Sequence, residues 1–444
     1  MFSGFIKRER AILTVIFLVF IASAAYAFYY RIRPSVDAGV YDQTAVNIAQ
    51  GYGFRFDRSL PIAEDSIITF QGPIYQYFLA GIYLIFGHHY EAVWLIQALL
   101  RAFTALILYL TAVNIFGPEG RRIGWISAAI FGFHPDLIEI GAMLMTETFF
   151  IFLSVLAVYV FVILYKNRSY LNSFFLGLFF GLAVLGRSSV GIFLLPFGFY
   201  FISRKEYAKF VLFLVTLILV MTPWTIRNYK VYGEFIPTMA NFGYNFWVGN
   251  HEGGDGEGGN TPELAAAQKE YGYIGANYYA ASQFKKFVAD HPLQYIKFTI
   301  SRTVKYFSFM RPMGFWFYQR GLGQFIFVAG SVLGSLILFW TGFAGIFIWF
   351  KKEKENRLLG YFFSFVFFSV LSLVLILYET RYRLPVYPFS ALFSGLALSR
   401  LYFAPKEYFR YFVAAGIAIL FLAAASVAMD YEKIFQKFKQ IFET

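Results

Sequence analysis

The sequence predicts an all-α integral membrane protein, and three observations carry that reading. Of 444 residues, 59% are hydrophobic and only 14% charged. That is more apolar surface than a soluble chain of this length can bury. Apolar runs recur from Ala11 almost to the C-terminus, many of them near the ~20 residues that span a hydrocarbon core. The basic residues collect at alternate ends of these runs, as membrane orientation requires.

The pattern gives eleven spans, near 11–30, 92–116, 123–138, 147–165, 170–186, 190–203, 210–226, 322–350, 358–378, 388–402 and 411–429. The first follows Lys7, Arg8 and Arg10. Ala22-Ser23-Ala24 resembles a signal-peptidase site. The run nevertheless exceeds the ~7–15 apolar residues of a signal peptide, so a retained helix is expected. A cytoplasmic N-terminus puts six basic segments on one side: Lys7 to Arg10, Arg121-Arg122, Lys166 and Arg168, Arg204 to Lys209, Lys351 to Arg357, and Arg400 to Arg410. The opposite-side turn 135–146 has no Lys or Arg. The chain then divides into a first helix (1–30), a first outer loop (31–91), spans two to seven (92–226), a large outer loop (227–321), and spans eight to eleven with a short tail (322–444).

In the first outer loop, residues 38–50 read as a short helix with Tyr41, Ala45 and Ile48 on one face. Gly51 and Gly53 suit its end, since glycine accepts the left-handed C-cap. The segment 73–87 is apolar but short, and reads as an interfacial amphipathic helix. In the second loop, 253–260 (GGDGEGGN) reads as a flexible turn or lid, and 263–310 as helical. The chain has no cysteine, which excludes disulfides and thiolate metal sites. Its net charge of +12 is scattered over loops, so it reads as orientation in a bilayer and not as a nucleic-acid patch.

Two clusters carry candidate chemistry. Asp37 and Asp42 lie just after the first span. A carboxylate there suits a general base if a hydroxyl comes within reach, and Asp37 equally suits a helix cap. Asp42, on another helical face, is expected to be solvated. Arg187, Arg227, Arg381 and Arg383 end spans on the outer side, against the positive-inside bias. Guanidinium matches phosphate bidentately, which points to an anionic lipid headgroup. Snorkelling or pairing with a local acid such as Glu379 is the plainer account of each. Arg101 lies deep in a span and is a functional candidate by default; Glu147 or a backbone carbonyl would also pair it. Glu147 opens the fourth span, either as a second active-site acid or as a dipole-favoured carboxylate. His88-His89 and His134-Pro135 lack partners at metal-ligand spacing. No cofactor is firmly implied, and a divalent ion held by loop aspartates has no supporting pattern. The glycine run is not followed by Lys-Ser or Lys-Thr, which excludes a P-loop.

Several ordered motifs resemble the GT-C-fold membrane glycosyltransferases, in the broad group with protein O-mannosyltransferases and lipid A aminoarabinose transferases. They are Asp37-Ala-Gly-Val-Tyr41 with Ala45 and Gly51-Tyr-Gly53-Phe54; Gly72-Pro73-Ile74-Tyr75 through Phe86-Gly87; Thr146-Glu147-Thr148; Pro223-Trp224 with Arg227-Asn228; and Arg381-Tyr382-Arg383-Leu384-Pro385 through Pro388. Ala38 stands where many members carry the second acid of an Asp-Glu pair. The resemblance implies an inverting transfer from a polyprenyl-phosphate sugar to a hydroxyl on a glycolipid, glycan or protein, at the periplasmic or extracellular face of the plasma membrane. In that scheme Asp37 is the catalytic base. Tyr41 lines the sugar pocket, and the four outer arginines hold the departing phosphate. Asp42, Arg101 and Glu147 complete the candidate substrate-binding set. Two other readings compete: a lipid-linked polysaccharide polymerase or ligase using His251 or His291, and a transporter or flippase.

The topology is testable with reporter fusions. Fusions in the 117–122 and 351–357 loops are expected to report the same, cytoplasmic side; opposite sides would overturn the span count.

Overall fold

The computed structural model describes residues 2–259, 261–313, 321–433, 435, 436 and 439. Asn260 of the glycine-rich turn, 314–320 of the large outer loop, and most of the tail beyond 433 lie outside the described residues. The described residues form seventeen α-helices and no extended strand. In order these are α1 (Phe2–Tyr30), α2 (Asp37–Ala49), α3 (Ile74–Phe86), α4 (Tyr90–Phe116), α5 (Gly120–Gly132), α6 (Pro135–Ala142), α7 (Glu147–Asn167), α8 (Tyr170–Gly186) and α9 (Leu194–Ser203). There follow α10 (Tyr207–Tyr232), α11 (Phe242–Gly249), α12 (Pro262–Asp290), α13 (Pro292–Phe307), α14 (Gly321–Lys352), α15 (Arg357–Val374), α16 (Tyr387–Phe403) and α17 (Pro405–Met429). Four 3₁₀ segments join them, the last at Thr380–Val386.

Every predicted span overlaps helix, and among the described residues seven helical runs are long and apolar enough to cross a membrane. The run Tyr90–Gly132 combines two of the predicted spans. Within that run α5 is itself short, and the predicted spans 170–186, 190–203 and 388–402 fall on shorter helices. At ~1.5 Å per residue, the 13 residues of α5 fall short of the ~30 Å hydrocarbon core. The cause is Pro135, which disfavours helical geometry at His134. His134 is extended (φ −66°, ψ 122°), and α6 restarts with Pro135 in its first turn. The predicted span 190–203 is split between a 3₁₀ turn at Ser188–Phe193 and the ten-residue α9. Helices α8 and α16 have 17 residues each. The outward faces of α10 (Val211, Val215, Ile218, Leu219) and α17 (Val413, Ile417, Leu420, Phe421) are exposed and apolar, as lipid contact requires. Helix α3 buries Tyr75, Leu79, Ile82 and Tyr83 and exposes Leu84, Ile85 and Phe86, the pattern of a helix lying in an interface.

Four of the six predicted cytoplasmic segments meet at one end of the bundle. Arg400 binds both Glu119 (2.7 Å) and Glu353 (2.6 Å), Lys352 binds Glu407 (2.8 Å), and Arg121 lies 3.3 Å from Glu9. The loops 117–122 and 351–357 therefore share a face. Inside, Phe161 meets Phe197, Tyr200 and Tyr361 at ring distances of 5.1–5.2 Å. Between α5, α14 and α16 the backbones touch: a Cβ at Gly345 would strike the Phe393 carbonyl, and one at Gly395 the Ile123 carbonyl. Small residues at such contacts are how helices associate where water supplies no driving force.

One polar knot lies in this interior. Arg383 is fully buried and donates to the carbonyls of Ser308 (2.9 Å) and Arg311 (2.7 Å), to Ser335 Oγ (3.2 Å) and to Asp136 (3.4 Å). Asp136 also accepts from the Tyr387 hydroxyl (2.9 Å) and from Ser331. Removing one member of a buried pair strands the other charge, at a cost of ~3–5 kcal/mol. Arg383→Met is therefore expected to lower the detergent-solubilised melting temperature sharply. The Asp136→Asn/Arg383→Met double variant should recover part of that loss. Equal melting of wild type and Arg383→Met would remove the knot from the stability account.

Candidate active site

A cleft of about 430 Å³ opens at the opposite end of the bundle from the Arg400 network. Five segments wall it. Ser35, Val36 and Asp37 come from the turn into α2, and Met143 and Met145 from the α6–α7 link. Glu257 and Gly258 come from the glycine-rich turn, and Arg311 to Met313 with Tyr378 to Arg381 from the approaches to α14 and α16.

Asp37 is the first residue of α2. The cap position is Val36, held at φ 51°, ψ −122°, a conformation a β-branched residue rarely adopts. No side-chain cap bond forms there. The Asp37 carboxylate instead meets Arg381 Nη1 at 2.9 Å, while Arg381 Nε donates to Glu379 at 2.8 Å. Burial works against the Arg381 charge. Tyr382, Glu379, Glu147 and Asp37 outweigh it, holding this guanidinium firmly protonated.

A second pair stands behind the first. Glu147 opens α7, Arg187 closes α8, and they meet at 3.1 Å, with the Thr146 hydroxyl 3.3 Å from the carboxylate. The Tyr382 ring lies between the two cations, 4.4 Å from the Arg187 guanidinium and 5.4 Å from that of Arg381. Tyr41, on α2, packs edge-on against Tyr75 at 5.5 Å. Its hydroxyl pKa is raised by burial, then by Asp37 and Glu147, with Arg381 and Arg187 opposing. Tyr41 therefore sits in the field of both pairs. The pairs differ in accessibility: the side chains of Asp37 and Arg381 are 41% and 20% exposed, those of Glu147 and Arg187 2% and 16%. Exposed pairs contribute only ~0–1 kcal/mol, whereas breaking a buried one costs ~3–5 kcal/mol. The two arginines are similarly covered, so the pairs differ at their carboxylates, and Asp37 is the one open to the cleft.

The structure therefore gathers Asp37, Tyr41, Glu147, Arg187 and Arg381. It places the remaining candidates elsewhere. Asp42 is not solvated: it accepts from Tyr83 (2.6 Å), His88 (2.9 Å) and Tyr90 (2.8 Å), tying α2 to α3 and α4. Arg227 donates to the Phe54 carbonyl (2.9 Å), Asn228 and Tyr232, pinning the first outer loop to the end of α10. Arg383 is consumed by the interior knot. Arg101 is buried and donates to the Gly132 carbonyl, the backbone alternative to Glu147. His251 contacts the Trp247 carbonyl, and His291 begins α13; neither lines the cleft.

Sequence reasoning passed over the far wall. Glu257 takes Lys305 (2.8 Å) and Arg311 (3.3 Å), while Asp430, at the end of α17, takes Lys305 (2.6 Å) and Arg311. A lone parallel bridge pairs Glu257 with Tyr378. The available signal was Arg311 itself, a further outer-side arginine, and two acids inside a glycine run. Among the described residues no three His, Cys, Asp or Glu side chains converge to hold a metal ion.

Residues 71–226 match the model of the dolichyl-phosphate-mannose-protein mannosyltransferase family. This window holds Glu147 and Arg187 but not Asp37 or Arg381. Comparison with curated protein sequences gives no match. Among solved structures, the chain is similar to the Archaeoglobus fulgidus oligosaccharyltransferase AglB in complex with an inhibitory peptide and a dolichol-phosphate. That likeness has 16% identity and a TM-score of 0.53, over 96% of this chain and 56% of that one. It is also similar to Cupriavidus metallidurans ArnT bound to undecaprenyl phosphate, with 13% identity and a TM-score of 0.51, over 98% of this chain and 76% of that one. The chain spans about half the length of the archaeal enzyme. With a mannosyltransferase-type segment at 71–226 and a backbone that follows both enzymes over nearly its whole length, this chain has the GT-C fold of membrane glycosyltransferases.

Proposed function

We propose that this chain is an inverting glycosyltransferase of the plasma membrane. It moves one sugar from a polyprenyl-phosphate donor to an acceptor hydroxyl at the periplasmic or extracellular face. The observation that carries the proposal is the Asp37–Arg381 pair: a carboxylate and a guanidinium at 2.9 Å on one wall of an open cleft. The fold adds support, since the two structural neighbours hold dolichol-phosphate and undecaprenyl phosphate. The basic segments gathered at the other end support an outward-facing cleft.

The reaction follows from the charges. The acceptor oxygen attacks the anomeric carbon while the carbon–oxygen bond to phosphate breaks. The electron pair leaves with the phosphate, and the acceptor's proton passes to Asp37. Arg381 receives the charge that develops on the leaving phosphate, where a preorganised cation is worth most. Arg187, with Glu147 fixed beside it, supports the same anion from behind Tyr382. Tyr41 borders the sugar. The acceptor is a glycolipid, a glycan or a protein. Three methionines, Met143, Met145 and Met313, line its approach, and their unbranched side chains adapt to varied apolar surfaces.

Deleting this chain and profiling lipid-linked sugars and surface glycans by mass spectrometry is expected to show accumulated donor and one missing sugar. Complementation with Asp37→Asn should not restore that sugar, with transfer reduced ~10²- to 10⁴-fold. Near-wild-type transfer by Asp37→Asn would overturn the assignment of the base.

A further inference from the structure

The geometry points to a partner exchange: Arg381 belongs to Asp37 in the resting protein and to the lipid phosphate once donor is bound, so that donor binding itself releases the base. This rests on the reading of Asp37 as base and Arg381 as phosphate ligand, and adds an order of events to it.

Three features carry it. First, the contested contact is a single one. Arg381 Nη1 holds Asp37 at 2.9 Å, while Nε separately holds Glu379 at 2.8 Å. Glu379 keeps the guanidinium at the cleft when Nη1 changes partner, which makes it a positioning residue. Second, the pair is placed for exchange. Both side chains line the cleft, and the Asp37 carboxylate is 41% exposed, whereas the Glu147–Arg187 pair behind it is closed off. An entering phosphate meets Arg381 first; its two partners, Asp37 and Glu379, are 41% and 42% exposed, and what separates them is the atom each holds, Nη1 against Nε. Third, the resting contact occupies the base. The Asp37 oxygen that accepts from Nη1 at 2.9 Å faces the guanidinium and not an acceptor hydroxyl. A phosphate that takes over Nη1 leaves that oxygen open to the incoming hydroxyl. The base is thus competent only when a donor is present to react.

No covalent bond is made or broken in the exchange: one charge-assisted hydrogen bond replaces another. The acceptor therefore binds productively only after the donor.

The test is equilibrium binding of undecaprenyl phosphate, with undecaprenol as the phosphate-free control, to the full chain in detergent. Wild type, Asp37→Asn, Glu379→Gln and Arg381→Met are compared, each first shown to melt as wild type does. Asp37→Asn no longer competes for Nη1, so phosphate binding is expected to tighten roughly two- to five-fold, the range an exposed ion pair spans. Arg381→Met should weaken it by about tenfold or more, the loss of a charged hydrogen bond. Undecaprenol binding should not change in any variant. Equal or weaker phosphate binding by Asp37→Asn overturns the exchange. So does equal tightening by Glu379→Gln, which would reduce the effect to one fewer negative charge nearby. These outcomes are separate from those of the transfer assay. An Asp37→Asn variant that fails to tighten but abolishes transfer sinks the exchange and keeps the base; one that tightens but still transfers sinks the base.

Discussion

The buried contact between the Arg383 guanidinium and the Asp136 carboxylate joins α6, α14 and the start of α16 in the interior of the bundle. The site depends on it through simple geometry. Arg381 and Arg383 share the 3₁₀ segment Thr380–Val386. At three residues per turn, side chains two apart point about 120° apart, so the segment sends the two in different directions. Arg383 turns inward and satisfies the Ser308 and Arg311 carbonyls as well as Asp136. Arg381 is thereby turned outward, onto Asp37. The same knot sets Arg311 and Met313 on the facing wall, because Arg383 holds the backbone from which they project.

Two ion pairs of similar composition then behave differently because their burial differs. Glu147 and Arg187 sit at the ends of α7 and α8, shielded from solvent. There the pair acts as a fixed electrostatic floor, and the positive end of the α7 dipole lies under Glu147. Asp37 and Arg381 sit at the mouth. Tyr382 lies against both guanidinium groups and keeps them apart without neutralising either. The arrangement offers a phosphate one cation with a loosely held partner and a second already compensated. Binding an anion there needs no uncompensated charge in the resting state.

The helical architecture was legible because it rests on the two strongest signals a sequence carries, apolar run length and charge asymmetry. The short apolar helix expected at 73–87, found at Ile74–Phe86, followed from the same reasoning. The shortening of the third and sixth spans was less visible, because it turns on the local break at His134-Pro135 and on a 3₁₀ turn without a distinct composition. At the site, Asp37 and Arg381 were legible as residue types that the charge pattern puts on one side of the bundle. The arginines could not be sorted further, since Arg227, Arg381 and Arg383 share the same chemistry and the same side. Only packing separates them: Phe54 captures one, Asp37 the second, Asp136 the third. Asp42 was misjudged because its three donors, Tyr83, His88 and Tyr90, lie 41 to 48 residues away. The Glu257–Arg311 wall was missed because glycine-rich composition reads as mobility, and the structure ties that turn down.

That tie gives the large outer loop its part in the site. Glu257 bridges to Tyr378 through the backbone and to Lys305, Arg311 and Lys433 through its side chain. Asp430 closes the circuit from the end of α17. Burial alone would raise the Asp255 and Asp430 pKa values. Lys433 and the Glu257 amide at the first, and Lys305 and Arg311 at the second, more than reverse that and hold both below the usual carboxylate range. A depressed carboxylate stabilises the fold above its unfolded-state pKa, and that stability fades as pH falls through the folded-state value. The wall opposite Asp37 is therefore firm near neutral pH and loosens in acid. Arg311 spends its donors on Glu257, Asp430 and Ser426, so it shapes the cleft and leaves Arg381 as the guanidinium with a half-solvated partner to exchange.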